Sequence, residues 1–387
     1  MKYDFVVVGS GFAGATVAER LANDLNKKVL VIDKRDNIGG NMYDYKNNDG
    51  IIVHEYGPHL FHTNNERVYN YLQNFGDWFN YEHRVLGKVK DKIVPIPFNF
   101  TSIRECFDED KSAKLIDVLV NKFGKDKKIP ILELRKDGDA DTSELADFVY
   151  ENVFLYYTMK QWGQKPDEID GSVTARVPVY TSLDDRYFQD KFQCMPIGGY
   201  TKIFENMLNN KNIDLKLNTK ASDVLKFEDK IYLNGEMFDG KVIYTGALDE
   251  LFDYEYGDLP YRTLKFEFEN LNDKYYQKVG TVNYPTKDDK FTRITEFKHM
   301  TIENGDEIDF TVIMREYPMA YNRMNNDIPY YPINNEENMN LYNKYLEKSK
   351  KYNSLYLVGR LAQYKYYNMD LVIDEALKLY EQIKGEI

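Results

Sequence analysis

The N-terminal region alternates apolar runs with an amphipathic stretch. Tyr3–Val8 is a near-continuous apolar run, which is typical of a strand buried on both faces of a parallel sheet. Ala13–Leu25 then places apolar residues at helical spacing, and Lys28–Ile32 is a second strand-like run that ends at an acidic residue. Glycines fill the turn between the first run and the helix. The sequence therefore predicts a parallel βαβ unit at its start.

After this unit, the pattern of apolar residues predicts a hairpin and two long helices, and then mainly strands. Ile103–Phe123 and Glu144–Tyr157 are amphipathic, and Val85–Val94 predicts a hairpin that turns at residues 91–92. The stretch 163–178 is polar and interrupted by glycine and proline, which predicts a long loop. Helices are also predicted at Thr201–Leu208 and Met369–Ile383, and strands at Asp214–Leu217, Lys230–Leu233, Lys241–Tyr244, Arg262–Glu269, Thr281–Tyr284, Phe291–Phe297, Phe310–Glu316 and Leu355–Val358.

Length, charge and cysteines narrow the class of protein. A chain of 387 residues is too long for one simple core, so two or three domains are expected. The net charge of −12 argues against non-specific binding of nucleic acid, which needs a cationic surface. The first apolar run is too short for a signal peptide or a membrane span, so a cytoplasmic protein without membrane insertion is expected. Cys106 and Cys194 form no Cys-x-x-Cys pair and are expected to be buried thiols.

The glycine turn after the first strand carries the first candidate chemistry. Residues 9–14, Gly-Ser-Gly-Phe-Ala-Gly, match G-x-G-x-x-G between a buried strand and an amphipathic helix. In such a motif Gly9 allows the tight turn, Gly11 lets the backbone approach a pyrophosphate, and Gly14 lets the helix pack on the strand. The helix N-terminus offers N–H groups to the phosphates. Asp33 ends the second strand, where it would accept hydrogen bonds from ribose hydroxyls, so we predict a dinucleotide site.

Three further segments resemble the family of FAD proteins that includes the amine oxidases. In that family a Gly-Gly turn such as residues 39–40 lies against the FAD diphosphate. Residues 242–246 resemble its strand that ends in Thr-Gly, and residues 357–360 resemble the motif before its flavin-contacting helix, whose N-terminus would stabilise an anionic reduced flavin. No second G-x-G-x-x-G follows a strand, so we find no separate NAD(P)H module. The cofactor contacts that the resemblance implies are Gly9, Gly11, Phe12, Gly14, Asp33, Lys34, Gly40, Asn41, His59, Leu60, Thr219, Arg360, Met369, Asp370 and Leu371.

A second resemblance, to the bacterial UDP-galactopyranose mutase family, runs in order along almost the whole chain. Its most specific segments are Lys-Gln-Trp-Gly at 160–163 and Pro-Tyr-Tyr-Pro at 329–332. The family interconverts UDP-galactopyranose and UDP-galactofuranose without net redox change. In its mechanism N5 of reduced FAD attacks the anomeric carbon, UDP leaves, the flavin–sugar adduct opens and recloses, and UDP returns. The other matching segments are 57–63, 157–159, 174–178, 185–188, 292–296 and 359–361 with Tyr366.

The second resemblance also implies roles for individual residues. Arg176 and Arg293 would grip the diphosphate, because guanidinium groups bind phosphate oxygens bidentately. Arg176 falls in the long loop, which suits a lid, and His59 and His62 would lie beside the flavin. The remaining substrate contacts that it implies are His83, Val153, Tyr157, Thr158, Trp162, Tyr187, Asn283, Tyr330 and Tyr366.

Three positions depart from the family pattern. Asn368 stands where the family usually has Asp, Val153 replaces a usual aromatic near uracil, and His83 stands where Asn is common. The departures leave open the sugar preference, for instance galactose against N-acetylgalactosamine.

We predict an α/β fold in three parts. A Rossmann-like FAD-binding domain would comprise residues 1–77, 195–260 and 345–387. A helical substrate domain would cover 100–190, with a mobile lid at about 163–180, and an antiparallel β-sheet domain would combine 80–100 with 261–340. The expected assembly is a homodimer, the expected ligands are FAD and UDP-galactose or UDP-galactofuranose, and the expected role of the product is in cell-surface polysaccharide biosynthesis.

Other interpretations remain open from the residues alone. An FAD-dependent oxidoreductase of the amine-oxidase type, or a catalytically silent FAD- or UDP-sugar-binding protein, would carry much of the same pattern. Arg293 alone is compatible with an exposed cross-strand charge. His59 and His62, with His54 nearby, suggest a metal, but no cysteine and no clear third ligand accompany them, so we predict no metal site.

Overall fold

The computed structural model describes residues 2–164, 178–302 and 307–386. The chain divides into two compact units, each built from separated segments. The stretches that we assigned to a helical domain and to an antiparallel sheet domain fall mainly in one unit. The first unit comprises Met1–Asn80, Asp190–Tyr261 and Pro329–Ile387, and the second comprises Tyr81–Gln189 and Arg262–Ile328.

A five-stranded parallel sheet forms the centre of the first unit. The predicted βαβ unit is confirmed. Strands Phe5–Val8 and Val29–Ile32 pair in parallel, and helix Phe12–Asp24 connects them in the sequence. The first of these strands is almost entirely buried and the second completely so, which explains their unbroken apolar runs. Helix Phe12–Asp24 packs against helices Tyr200–Leu208 and Met369–Glu386. The strand order is Ile213–Lys216, Val29–Ile32, Phe5–Val8, Lys241–Tyr244 and Leu355–Leu357.

A mixed sheet forms much of the second unit. The predicted hairpin is confirmed, with strands Val85–Val89 and Lys92–Ile96 and its turn one residue earlier than expected. The prediction of an antiparallel sheet is wrong at one pair of these strands, because Thr281–Asn283 pairs with Val85–Val89 in parallel. This parallel pair is possible because a long connection separates the two strands in sequence. The order of these strands is Tyr261–Leu271, Thr311–Ala320, Arg293–Glu296, Thr281–Asn283, Val85–Val89 and Lys92–Ile96.

Two of the predicted helices are divided. The stretch 103–123 forms Phe100–Cys106 and Glu109–Phe123, because the Asp108 carboxylate accepts a hydrogen bond from Lys111 N at 2.9 Å and caps a new helix. The stretch 144–157 belongs to Ala140–Val149, a π-helical turn at Tyr150–Phe154, and Leu155–Trp162. These helices pack around an apolar core whose members include Val94, Ile103, Leu119, Leu145 and Phe154.

Several shorter elements complete the described chain. Within the described ranges, no helix is both long and apolar enough to cross a membrane. Both cysteines are free thiols, Cys194 buried and Cys106 half-buried. The remaining helices are Gly40–Met42, Glu66–Leu72, Gln73–Phe75, Ile131–Leu134, Ala221–Val224, Leu248–Leu251, Phe297–Met300, Arg323–Asn325 and Glu336–Ser349. The remaining strands are Asp44–Lys46, Ile52–His54, Phe61–Thr63, Trp78–Asn80, Phe98–Asn99, Lys128–Pro130, Pro178–Tyr180, Phe192–Pro196, Leu225–Phe227, Ile231–Leu233, Glu236–Met237 and Tyr331–Pro332.

Candidate active site

Two glycine turns face each other at the carboxyl end of the first strand. A Cβ atom built on Gly11 would lie 3.6 Å from the Cα of Gly40, and one built on Gly40 would lie 3.1 Å from the Cα of Gly11. Among the residues that the structure describes, no side chain caps the N-terminus of the helix that Gly11 precedes. The two turns therefore form a cradle of backbone atoms, with N–H groups of the helix end available to an anion. This cradle fits the diphosphate of a dinucleotide.

Some of the predicted cofactor residues lie near one another because parallel strands end at the same edge of a sheet. Gly9, Asp33 and Arg360 each follow such a strand, and all the predicted cofactor contacts lie in the first unit. Asp33 is buried, and its Oδ2 accepts hydrogen bonds from the backbone N and the Oγ of Ser10, at 2.8 and 2.7 Å. Its backbone oxygen accepts from the N–H of Thr219 at 2.8 Å. Asp33 therefore ties the glycine turn to the neighbouring strand ends.

Some of these residues have partners that the sequence did not predict. The ammonium of Lys34 lies 2.8 Å from the Glu250 carboxylate, and the Lys34 side chain is half exposed. Asn41 accepts a hydrogen bond from Arg35 at 2.8 Å. The Asp370 carboxylate accepts one from the Thr63 hydroxyl at 2.7 Å, which ties the start of helix Met369–Glu386 to strand Phe61–Thr63. Phe12 is buried against Phe204, with ring centroids 4.5 Å apart, and Leu371 is exposed.

The predicted histidines occupy two adjoining segments of the first unit. His62 Nδ1 lies 2.8 Å from the Asp190 carboxylate. The backbone N–H of His59, next to Leu60, donates to Nδ1 of His54 at 3.1 Å. His54 is fully buried, and this burial lowers its pKa. Neutral His54 accepts this hydrogen bond at Nδ1 and so orients the loop that leads to His62. The sequence did not indicate this role.

A cluster of tyrosines surrounds Arg360. One guanidinium nitrogen donates to the backbone oxygen of Tyr330 at 3.2 Å, and another donates to that of Tyr367 at 2.5 Å. The guanidinium carbon lies 4.9 Å from the centre of the Tyr366 ring, which stacks on Tyr331 at 5.6 Å. The structure thus brings Arg360, Tyr330 and Tyr366 together.

Arg293 is held by a carboxylate that sequence reasoning missed. Its Nε and Nη2 donate to Glu316 Oε2 at 3.0 and 2.7 Å, and the Glu316 side chain is 1% exposed. The two residues are direct partners in the antiparallel register, and Asn283 is opposite Arg293 on its other side. Arg293 is therefore not an exposed surface charge. The sequence held one signal for this partner: Glu316 is an acidic residue at an inward-facing position of the strand predicted at Phe310–Glu316.

The second unit also contains the other predicted substrate residues. His83 and Tyr187 lie together, because the backbone N–H of Tyr187 donates to the backbone oxygen of His83 at 2.8 Å. Thr158 is buried and lies on helix Leu155–Trp162, which ends at Gly163 in a left-handed conformation. Tyr157 and Trp162 lie on the same helix, Val153 is buried in the π-helical turn before it, and Asn283 ends its strand. Arg176 and most of the predicted lid, residues 165–177, lie outside the described residues.

Comparison with known proteins decides the family. Residues 152–366, more than half of the chain, match the family model described as UDP-galactopyranose mutase, and residues 7–75 match an NAD(P)-binding Rossmann-like domain. A curated UDP-galactopyranose mutase from Mycoplasma genitalium is 36% identical and covers 99% of this chain and 95% of its own. The chain belongs to the UDP-galactopyranose mutase family. This membership confirms the resemblance that the motifs carried.

Three further comparisons show the breadth of the similarity. A dTDP-fucopyranose mutase from Escherichia coli is 37% identical over 96% of both chains. The crystal structure of a reduced UDP-galactopyranose mutase matches with a TM-score of 0.71 at 15% identity, covering 100% of this chain and 95% of its own. A putrescine oxidase structure matches with a TM-score of 0.58 at 12% identity, covering 99% of each chain. The α/β fold with a Rossmann-like domain is therefore confirmed, and the amine-oxidase interpretation of function is not favoured over membership of the mutase family.

Proposed function

We propose that this protein interconverts UDP-galactopyranose and UDP-galactofuranose. The observation that carries the proposal is the 36% identity to a curated mutase over 99% of the chain. Conversion of a six-membered sugar ring into a five-membered one leaves the composition of the sugar unchanged, so no net oxidation is needed. The sequence shows no second glycine motif for a nicotinamide cofactor, in keeping with such a reaction.

The cofactor that we propose is FAD, active in its reduced form. The backbone cradle at Gly11 and Gly40 suits its diphosphate, and Asp33 retains an acceptor position for a ribose hydroxyl, because a carboxylate accepts about four hydrogen bonds. When bound, reduced FAD supplies a nucleophilic N5 atom for the anomeric carbon of the sugar. The histidines at 59 and 62 and the remaining predicted cofactor residues are proposed to line this site.

Arg293 is proposed to bind the diphosphate of the substrate and to stabilise the charge of the departing UDP. The buried Glu316 holds two of its nitrogens, so the guanidinium is oriented before substrate arrives. The pair of Arg293 and Glu316 is neutral as a whole, and a diphosphate needs further positive charge. We propose that Arg176 supplies it. The other proposed substrate contacts are His83, Val153, Tyr157, Thr158, Trp162, Tyr187, Asn283, Tyr330 and Tyr366.

A second candidate reaction is the same ring contraction of dTDP-fucopyranose. It is favoured by the 37% identity to the mutase from Escherichia coli that is named for that substrate. The two substrates share a pyrimidine nucleotide, a diphosphate and a pyranose, so they would use the same arginines. Comparison of kcat/KM for UDP-galactopyranose and dTDP-fucopyranose with the reduced protein separates the two proposals. We expect the larger value for the UDP sugar, and a larger value for the dTDP sugar would replace the first proposal by the second.

The purified protein is expected to be yellow and to release FAD on denaturation. The reason is that the glycine turns, Asp33 and the strand ends together offer a non-covalent dinucleotide site. Visible absorbance before denaturation and chromatography of the released chromophore check the expectation. Release of FMN, or a colourless protein that does not take up added FAD, would contradict it.

Assembly and location remain predictions. We propose a homodimer, which sedimentation or light scattering of the purified protein tests. We propose a cytoplasmic location, which fractionation of the source cells tests. A monomer at micromolar concentration, or recovery in a membrane fraction, would overturn the respective proposal.

A further inference from the structure

The side chain of Lys160 ends among four backbone carbonyl oxygens. Its Nζ donates to the oxygens of Tyr284 at 2.6 Å, Phe291 at 2.8 Å, and Thr286 and Asp289 at 3.0 Å. We call these four oxygens the carbonyl cage. An ammonium group has three protons, so four converging acceptors fully replace its water shell. The cage is therefore built around a compact cation.

The contacts of Lys160 fix the shape of a loop rather than neutralise a carboxylate. The Asp289 carboxylate lies 3.5 Å from the ammonium of Lys88 and accepts a hydrogen bond from the Thr286 hydroxyl at 2.8 Å. Burial lowers the pKa of Lys160 to about 8, and the negative charge of Asp289 acts in the opposite direction. A desolvated ammonium without strong acceptors would be costly, so the loop and the lysine stabilise each other.

The loop that Lys160 holds joins two strands of the proposed substrate site. It connects Thr281–Asn283 to Arg293–Glu296, and we call these two strands with the loop 284–292 the arginine hairpin. The first cage residue follows Asn283 directly, and the last lies two positions before Arg293. Displacement of the loop would therefore move the backbone that carries Arg293. The Glu316 carboxylate fixes only the guanidinium end of that side chain.

Lys160 also lies on the helix Leu155–Trp162, which carries three proposed substrate contacts. Arg262 anchors the end of this helix from another side, because its Nε and Nη2 donate to the backbone oxygens of Gln161 and Lys160 at 3.0 and 3.1 Å. The helix end is thus a fixed platform. From it the Lys160 ammonium reaches the arginine hairpin.

We propose that Lys160 is a positioning residue for the reaction, whose ammonium holds the arginine hairpin against the helix Leu155–Trp162 so that Arg293 is placed for the diphosphate. This inference rests on the proposed function. Lys160 itself touches neither flavin nor substrate in the proposal. Its effect on turnover passes through the carbonyl cage and Arg293.

Lys160→Met tests the proposal, because it keeps most of the apolar stem of the side chain and removes the ammonium. We expect kcat/KM to fall about 10- to 100-fold, the effect of misplacing a binding group by about 1 Å. Most of the fall should lie in kcat, and flavin content should not change. Lys160→Arg should not restore activity, because a planar guanidinium does not fit four acceptors that converge on one point. In Lys160→Ala, added methylammonium should restore activity several-fold by occupying the cage.

Lys298 provides a matched control in the same unit. It is buried, and its Nζ donates to three backbone oxygens, those of Lys274 at 2.9 Å, Phe310 at 3.3 Å, and Ile308. It lies in the helical turn Phe297–Met300, beyond the opposite end of the strand from Arg293. Lys298→Met should lower stability as much as Lys160→Met, with kcat near that of the unmodified protein at temperatures where both variants are folded. Methylammonium should have no effect on it.

Hydrogen exchange separates failure of this inference from failure of the proposed function. Amide exchange in residues 284–292 should be faster in Lys160→Met than in the unmodified protein, and unchanged in Lys298→Met. Slow exchange of this loop in Lys160→Met, or an unchanged kcat/KM beside an active unmodified protein, would overturn the role of Lys160. Faster exchange together with an unmodified protein that is inactive on UDP-galactofuranose would instead overturn the proposed function.

Discussion

Arg293→Ala is expected to lower kcat/KM by about 30-fold or more, with flavin content unchanged. Loss of a charge-assisted contact to a buried partner costs about 2–5 kcal/mol, and 1.4 kcal/mol corresponds to a factor of about ten. Negative charge on the diphosphate grows as UDP leaves, so the loss should appear in kcat as well as in KM. Steady-state kinetics with the reduced protein, beside flavin absorbance, measure both effects.

Two companion variants control for the unpaired carboxylate. Arg293→Ala leaves the 1%-exposed Glu316 without its ion pair, which destabilises the fold by itself. The double variant Arg293→Met with Glu316→Gln removes that buried charge, and we expect it to recover stability but not activity. Arg315→Ala removes a neighbouring surface pair with Glu269 and should change stability by only a few tenths of a kcal/mol, roughly. Near-normal kcat/KM in the double variant would exclude Arg293 as a diphosphate ligand.

Gly14→Ala is expected to remove most of the bound flavin. A Cβ atom at Gly14 would lie 1.9 Å from the backbone oxygen of Gly9 and 2.9 Å from a methyl group of Val7. Backbone atoms cannot yield as a flexible side chain can, so the helix must move away from the strand and the cradle must open. Overpacking of this kind costs about 1–3 kcal/mol. The ratio of visible to ultraviolet absorbance in the purified variant measures the flavin that remains.

Gly385→Ala is the matched control for this change. It lies in helix Met369–Glu386 of the same unit, and a Cβ atom built there has no neighbour within 4 Å among the described residues. We expect full flavin content and unchanged or slightly higher stability, because Ala favours a helix over Gly. If Gly14→Ala retained as much flavin as Gly385→Ala, the glycine turn would not be the binding site.

The sequence predicted those parts of the fold that depend on local pattern. The buried parallel strands and the helix after the glycine turn follow from unbroken apolar runs and from spacing, and the structure confirms them. Helix Glu336–Ser349 was not predicted, because its buried face consists of the polar or hydroxyl-bearing side chains Asn338, Tyr342, Tyr345 and Ser349 rather than aliphatic ones. The break before Glu109 depends on the capping carboxylate of Asp108, a local signal that the amphipathic pattern obscured.

The candidate site could be predicted only where the type of a side chain indicates its role. The resemblance named Arg293, but its partner Glu316 depends on the register of two strands, and a glutamate on an antiparallel strand is usually exposed. Lys160 contacts backbone oxygens, which every residue has, so the residue types in the loop did not indicate these contacts. Arg176 lies outside the described residues, so its role in binding the diphosphate remains a prediction.

The proposed reaction is an isomerisation that needs reduced flavin and consumes no reductant. The most direct measurement incubates the protein, reduced once with a limiting amount of dithionite under anaerobic conditions, with excess UDP-galactofuranose and follows the products by chromatography. We expect many turnovers to UDP-galactopyranose for each flavin reduced, and none from the oxidised protein. Equal turnover by oxidised protein, or product that never exceeds the reductant added, would contradict it.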